Sequence, residues 1–196
     1  MSNELMTIFK IIISAAFVDN IILARYIACC PYIGMSTSIS NSIGMGMAVA
    51  FVMVLSSTVT WIFWYYLLLP LHLEYLRIMV FILVIAVLVQ LVEVLLKKNV
   101  PTLYRAMGIY LPLITTNCAI LAATFLGVDY NYNLIQAVVY NISVALGFTL
   151  ALILLAGIRE RLRYSKVPSF YQGYPMAFII TSLLAMAFVG FKGLVK

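Results

Sequence analysis

The sequence predicts an all-α integral membrane protein with six transmembrane helices, built as two inverted three-helix repeats with helices one and four interrupted. Three observations carry that prediction. First, 65% of the 196 residues are hydrophobic and only 9% are charged, whereas soluble domains run near half apolar and a quarter charged. Second, the apolar residues form long unalternating runs at roughly 6–30, 40–64, 76–96, 103–126, 134–158 and 173–194. About 20 such residues span a bilayer as a helix, and backbone in lipid must satisfy its hydrogen bonds internally. Third, the second half echoes the first, with Asn20 falling on Asn117.

In order along the chain, the first span carries "VDNIILARYIACCP", in which Asp19, Asn20 and Arg25 interrupt apolar sequence ahead of Cys29, Cys30 and Pro31. Pro31 is expected to end this helix, to bias Cys30 towards extended backbone and to open a loop from Pro31 to Asn41. The second span closes with Trp61, Trp64, Tyr65 and Tyr66, a composition suited to an aromatic belt at the outer interface. A loop from Pro70 to Glu74 leads into the third span, which ends with Glu93 and Lys97 paired one turn apart.

A loop from Lys97 to Pro101 precedes the fourth span, whose "LPLITTNCAIL" holds Pro112, Thr115, Thr116, Asn117 and Cys118. Pro112 removes a helix donor and clashes with the preceding turn, so this span is expected to kink or break. After a loop from Gly127 to Asn133, the fifth span ends in "GIRERLR", expected to cap it at the cytoplasmic surface and to meet a soluble partner. A last loop, Arg159 to Gly173, leads into the sixth span. Residues 1–9 carry Glu4 and no Lys or Arg, so no cleavable signal peptide is expected. No loop is long enough to bury a soluble core.

Charge sets the expected orientation. Lys97, Lys98, Arg105, Arg159, Arg161, Arg163 and Lys166 fall on one face of a six-span chain. Arg77, Lys192 and Lys196 lie on the other, beside Glu4, Glu74 and Asp129. The odd-numbered loops are therefore expected in the cytoplasm and both termini outside. The net charge of +6 is a topology signal; no basic groove or soluble module accompanies it, which argues against nucleic acid as a partner.

The repeat extends beyond the asparagines. Leu23 falls on Ile120, Ala48 on Ala145 and Phe51 on Phe148, while Gly46 and Ala50 fall on Ser143 and Gly147. Three spans per half is an odd number, so residues 1–98 and 99–196 are expected to cross the membrane in opposite senses. Such inverted repeats place function near the midplane at broken helices. Gly44, Gly46, Ala50, Ser143 and Gly147 suit close helix approach.

Polar groups inside a span are costly and mark sites. Three thiols can serve simply as small apolar side chains. Zinc is disfavoured, because the one histidine, His72, sits in a loop. An iron–sulfur cluster normally takes four thiolates, more than this chain owns. Cys29 and Cys30 are neighbours whose side chains diverge by about 100° on a helix, so one of the two would bind. That leaves two ligands, one from each half, and a partner supplying two more. In a second class of function, a transporter or channel, Asp19, Asn20 and Thr115 to Asn117 would coordinate an ion at the same breaks.

"CCPYIGMS", "YLRIMVFILVIAVLVQLVE", "LYRAMGIYLPLITTNCAIL" and "LLAGIRERL" resemble the family of Rnf-complex membrane subunits (the RnfA/NqrE family), which also includes a component of the sodium-pumping NADH:quinone oxidoreductase. The resemblance covers essentially the whole chain. "LPLITTNCA" and "IRERL" are its specific motifs, and "CPYIG" leans towards the Rnf side. It implies a non-catalytic electron-carrying component of a prokaryotic inner membrane, sharing an intramembrane [2Fe–2S] cluster with a sister membrane protein, RnfE. By position Cys30 and Cys118 would be this chain's ligands. The complex would couple electron flow between ferredoxin and NAD to Na+ or H+ transport. Two departures stand out: Cys29 where an apolar residue is usual, and Asp19 where asparagine is common. Three readings accommodate Asp19: Arg25 offsets its charge, it is protonated, or it lies at a wetted edge. No Rossmann or P-loop motif is present, so flavin, NAD and ATP are expected to bind elsewhere in the assembly.

Overall fold

The computed structural model describes residues 2–69, 74–99, 117–130, 132–165, 168 and 171–190. Among these residues there are seven α-helices and no strands: α1 (Ser2–Ile13), α2 (Cys29–Met35), α3 (Ile39–Phe63), α4 (Arg77–Asn99), α5 (Cys118–Asp129), α6 (Leu134–Leu162) and α7 (Tyr174–Val189). Three stretches, Ile39–Leu68, Arg77–Val94 and Leu134–Leu162, are long and apolar enough to cross a membrane; Ile8–Val18, α5 and α7 are shorter apolar helices. Large apolar side chains stay exposed on them, among them Met47, Leu83, Ile135 and Met186. Helices that are apolar all round belong in lipid or against other helices.

The chain divides into two compact units, 1–47 with 143–196, and 48–142. In the first, α1 continues into a π-helical turn, Ser14–Val18, closed by Asp19 N–H donating to Ser14 O at 2.7 Å. There the helix stops. Residues 19–28 form linked turns, with Ala24 N–H on Asn20 O (2.9 Å), Tyr26 N–H on Ile22 O (2.9 Å) and Ile27 N–H on Ile21 O (3.1 Å). Asn20, Ile21, Ile22 and Leu23 are buried, so this break is packed inside its unit. Irregular backbone survives at membrane depth only where protein or a cavity surrounds it.

The first span is thus interrupted, but not at Pro31. The helix does not end there and the segment from Pro31 to Asn41 is not all loop: α2 begins at Cys29. Cys30 is helical, contrary to the expected extended backbone. In the first turn of a helix the N–H that proline lacks has no intrahelical acceptor to lose, and its fixed φ already suits the helix. The turn signal is carried instead by Tyr26 and Ala28, at φ 57° and 71°.

In the second unit α3 runs into another π-helical turn, Trp64–Leu68, with Leu69 N–H on Trp64 O at 3.1 Å. Trp64 meets Phe81 edge to face, and Phe81 packs on Phe125 with ring centres 5.3 Å apart, tying α4 to α5. Arg77 pairs with Asp129 at 2.7 Å and lies over the Trp64 and Phe125 rings, 5.4 and 4.8 Å from their centres. Trp61 Nε1 donates to Tyr132 O at 3.2 Å. Of the four expected belt residues, Tyr65 and Tyr66 are exposed, while both tryptophans are half-buried in this cap. Deeper in, buried Asn141 Nδ2 donates to Ser57 Oγ (3.0 Å) and Ala137 O (2.8 Å).

Spans two, three and five lie within a few residues of their expected bounds. α6 runs four residues past 158, to Leu162, which places Arg159 and Arg161 on the helix rather than in the loop. Gly173, at φ 95°, turns the chain into α7, with Pro175 in that helix's first turn. Pro112, Thr115 and Thr116, with the expected break in span four, lie outside the described residues.

Candidate functional site

Asn20 is the bracket of the first break. Its Oδ1 accepts from Ile22 N–H (3.1 Å) and Leu23 N–H (3.4 Å). Its Nδ2 donates to Ala16 O (3.1 Å) and, across 127 residues of sequence, to Gly147 O (2.8 Å). One side chain therefore satisfies groups freed on both sides of the interruption and ties them to α6. Gly147 is needed for that approach, because a Cβ there would sit 2.8 Å from Ala16 O and 3.1 Å from Asn20 Nδ2.

The thiols follow in the first turn of α2. Cys29 Sγ turns back and donates to Tyr26 O at 3.1 Å. Cys30, the next residue round, is exposed. The two diverge as neighbours on a helix must. Just before them, Tyr26 and Ala28 hold left-handed backbone, which costs a residue with a Cβ about 1–2 kcal/mol. Such outliers persist where surrounding structure over-determines them. Here the far end of α2 is pinned as well: Arg159 Nη1 donates to Ile33 O (2.9 Å) and to Ser36 Oγ (2.8 Å). Asp19 is half-buried at the end of the π-helical turn, and Arg25 is exposed in the turns that follow.

The second unit holds the other thiol by a shorter route. Asn117 is the N-cap of α5, with extended backbone (φ −72°, ψ 110°) and Oδ1 accepting from Ala119 N–H at 3.0 Å. That is the bond Asn20 makes to Ile22, displaced by 97 residues at both ends (20 to 117, 22 to 119). Cys118 occupies the first helical position and is exposed. Asn117 Nδ2 is buried with no partner among the described residues. A buried N–H without an acceptor is uncommon enough to demand an explanation.

None of the three thiols is in a disulfide. Among the described residues no three His, Cys, Asp or Glu side chains gather to hold an ion. Of the expected site residues, Asn20 braces the break after the first helix, Asn117 caps the start of α5, and Cys30 and Cys118 both lie in first turns. Sequence alone did not mark Arg159, the Gly147 carbonyl or the left-handed pair as parts of the site. "GIRERL" was visible, but nothing local says that its first arginine reaches α2.

A model of the Rnf-Nqr family, described as "Rnf-Nqr subunit, membrane protein", matches residues 8–195. The A component of the Na+-translocating ferredoxin:NAD+ oxidoreductase complex of Acetobacterium woodii is 49% identical over 189 residues, covering 96% of this chain and 98% of that protein. The A component of an ion-translocating oxidoreductase complex from Syntrophotalea carbinolica is 49% identical over 185 residues, 94% and 96% of the two chains. Its counterpart from Vibrio cholerae is 46% identical over 186 residues, 95% and 96%. A match over nearly the whole length means that this chain belongs to the Rnf-Nqr family of membrane-protein subunits.

Proposed function

We propose that this chain is the RnfA component of an ion-translocating ferredoxin:NAD+ oxidoreductase in a prokaryotic inner membrane, and that it carries electrons by holding half of an intramembrane [2Fe–2S] cluster. Cys30 and Cys118 are its ligands, and two thiolates of the sister protein RnfE complete the set. When bound, the cluster supplies one-electron transfer between donors and acceptors on neighbouring chains of the complex; Na+ or H+ movement is coupled to that transfer.

The observation that carries the reading is the buried Asn117 Nδ2 beside Cys118, which has no partner among the described residues. A buried amide donor with no acceptor is what a sulfur-rich anion would satisfy, and hydrogen bonds to cluster sulfurs tune such centres. The rest of the donor set fits. Cys30 and Cys118 each sit exposed in the first turn of a helix. Cys29 is turned towards Tyr26 O, which favours Cys30 of the pair. Each asparagine braces the backbone next to its thiol segment, so the breaks keep their shape whatever the charge on the sulfurs. The matching bonds of Asn20 and Asn117 support a repeat at a 97-residue offset, which we read as inverted repeats over 1–98 and 99–196.

The ion-coordinating alternative fares worse at Asn20, whose oxygen already accepts two N–H groups and whose nitrogen donates to two carbonyls.

Replacing Cys30 or Cys118 with alanine in the intact complex is expected to abolish one [2Fe–2S] signal in low-temperature EPR, with loss of two irons and two acid-labile sulfides per complex. Cys29→Ala is expected to keep the signal. An unchanged spectrum in Cys118→Ala would overturn the ligand assignment.

A further inference from the structure

At the C-terminal end of α6 a pocket of about 260 Å³ opens between the turn after α2 and the start of α7. Its polar lining is Thr37, Arg159, Arg163, Ser165 and Gln172, with Met176 on the apolar side. All of these residues belong to the first unit. Arg159 uses Nη1 alone for its two bonds to Ile33 and Ser36. Neither Arg159 nor Arg163 has a carboxylate partner among the described residues, where Arg77 and Asp129 form the ion pair. Two guanidinium groups, two hydroxyls and an amide around one small cavity make a donor-rich, net cationic site with no carboxylate in its described lining.

We propose that this pocket binds a phosphoryl group. Guanidinium forks match phosphate oxygens in geometry and charge, and hydroxyl and amide donors fill the remaining acceptor positions. The volume lies just below the range of about 300–1,000 Å³ usual for small-molecule clefts, which suits a headgroup better than a nucleotide. The position favours a lipid source: α6 is long and apolar enough to cross a membrane, and the pocket sits where that helix runs out, at headgroup level. Because Arg159 also pins α2, an occupied pocket holds in place the helix that carries Cys29 and Cys30. The binding site itself does not depend on the cluster assignment.

Arginine modification tests it. The intact complex, stripped of lipid in detergent, is treated with phenylglyoxal, and the modification of Arg163 and Arg161 is followed by peptide mass spectrometry. Arg161 lies two residues away and does not line the pocket. Micelles doped with phosphatidylglycerol, at about four times the dissociation constant, are expected to slow modification of Arg163 about fivefold and to leave Arg161 unchanged; phosphatidylcholine is expected to protect neither. Protection of Arg163 by inorganic phosphate to the same extent supports the phosphoryl site with a soluble source, and protection by the lipid alone supports it with a lipid source. If neither probe slows Arg163 more than Arg161, or both arginines are slowed together, the proposal falls.

Discussion

Asn20 and Asn117 perform the same local task with different support, and the two thiol segments differ accordingly. Asn117 caps α5 and hands directly to Cys118, the next residue. Its position follows from a single side-chain bond to Ala119 N–H, so local sequence almost suffices to build it. Asn20 lies ten residues before Cys30, with linked turns and two left-handed residues between them. Local turn bonds shape that segment but do not anchor it. It is fixed from outside by Gly147 O at one end and Arg159 at the other. One half places its sulfur by a helix cap; the other places it by tertiary structure.

Deleting the two side chains should expose that difference most sharply. Asn20→Ala strands Ile22 N–H in a buried setting and cuts the tie to Gly147 O, and is expected to destabilise the chain by about 3 kcal/mol. Asn117→Ala removes an N-cap, worth about 1 kcal/mol, but also deletes the unpartnered donor, so its net stability cost is expected to be smaller. Its signature should be electronic instead: a shifted reduction potential of the proposed [2Fe–2S] centre with the signal retained. Thermal denaturation of the purified complex, followed by redox titration under EPR, checks both. Equal stability losses would mean that the two asparagines are not differently supported.

The same contrast explains which features are legible in the sequence. Spans two, three and five need only length and hydropathy, and α3, α4 and α6 appear close to where those properties place them. Asn117 next to Cys118 has a helix-cap signature that a local reading can recognise. The first break is legible as a break, from Asp19, Asn20 and Pro31 inside apolar sequence. Its location is not, because Pro31 is as compatible with a helix start as with a helix end. The bonds that decide between those options come from Gly147 and Arg159, more than 120 residues away. In the fourth span, Pro112 to Thr116 lie beyond the described residues.

Two glycines sharpen the comparison at the next level. Gly147→Ala places a Cβ 2.8 Å from the Ala16 carbonyl and 3.1 Å from its Cα. Both are backbone atoms, which cannot swing aside, and the Asn20–Gly147 bond must stretch to relieve the contact. A loss of about 2 kcal/mol is expected. Gly127→Ala in α5 meets only Asn141 Nδ2, at 3.8 Å, an ordinary van der Waals distance. Its stability is expected to change by less than about 0.5 kcal/mol or to improve, since alanine is the better helix former. Matching denaturation midpoints for the two variants would show that the first break does not depend on close approach of α6.

The arginines give the smallest contrast. Arg159 directs charge-assisted bonds at Ile33 O and buried Ser36 Oγ, so Arg159→Gln is expected to cost about 1.5 kcal/mol. Arg77 meets Asp129 where the side chains are 24% and 48% exposed, so water screens the pair and Asp129→Asn is expected to cost about 0.5 kcal/mol. The ring contacts of Arg77 with Trp64 and Phe125 survive that substitution. Salt separates the two cases further. Raising ionic strength should erase most of the Asp129→Asn difference and leave the Arg159→Gln difference largely intact, because the acceptors of Arg159 are a carbonyl and a hydroxyl rather than an opposing charge. A salt-sensitive Arg159→Gln penalty would place the work of that guanidinium in long-range charge, and α2 would then be held by something other than the two bonds at its C-terminal end.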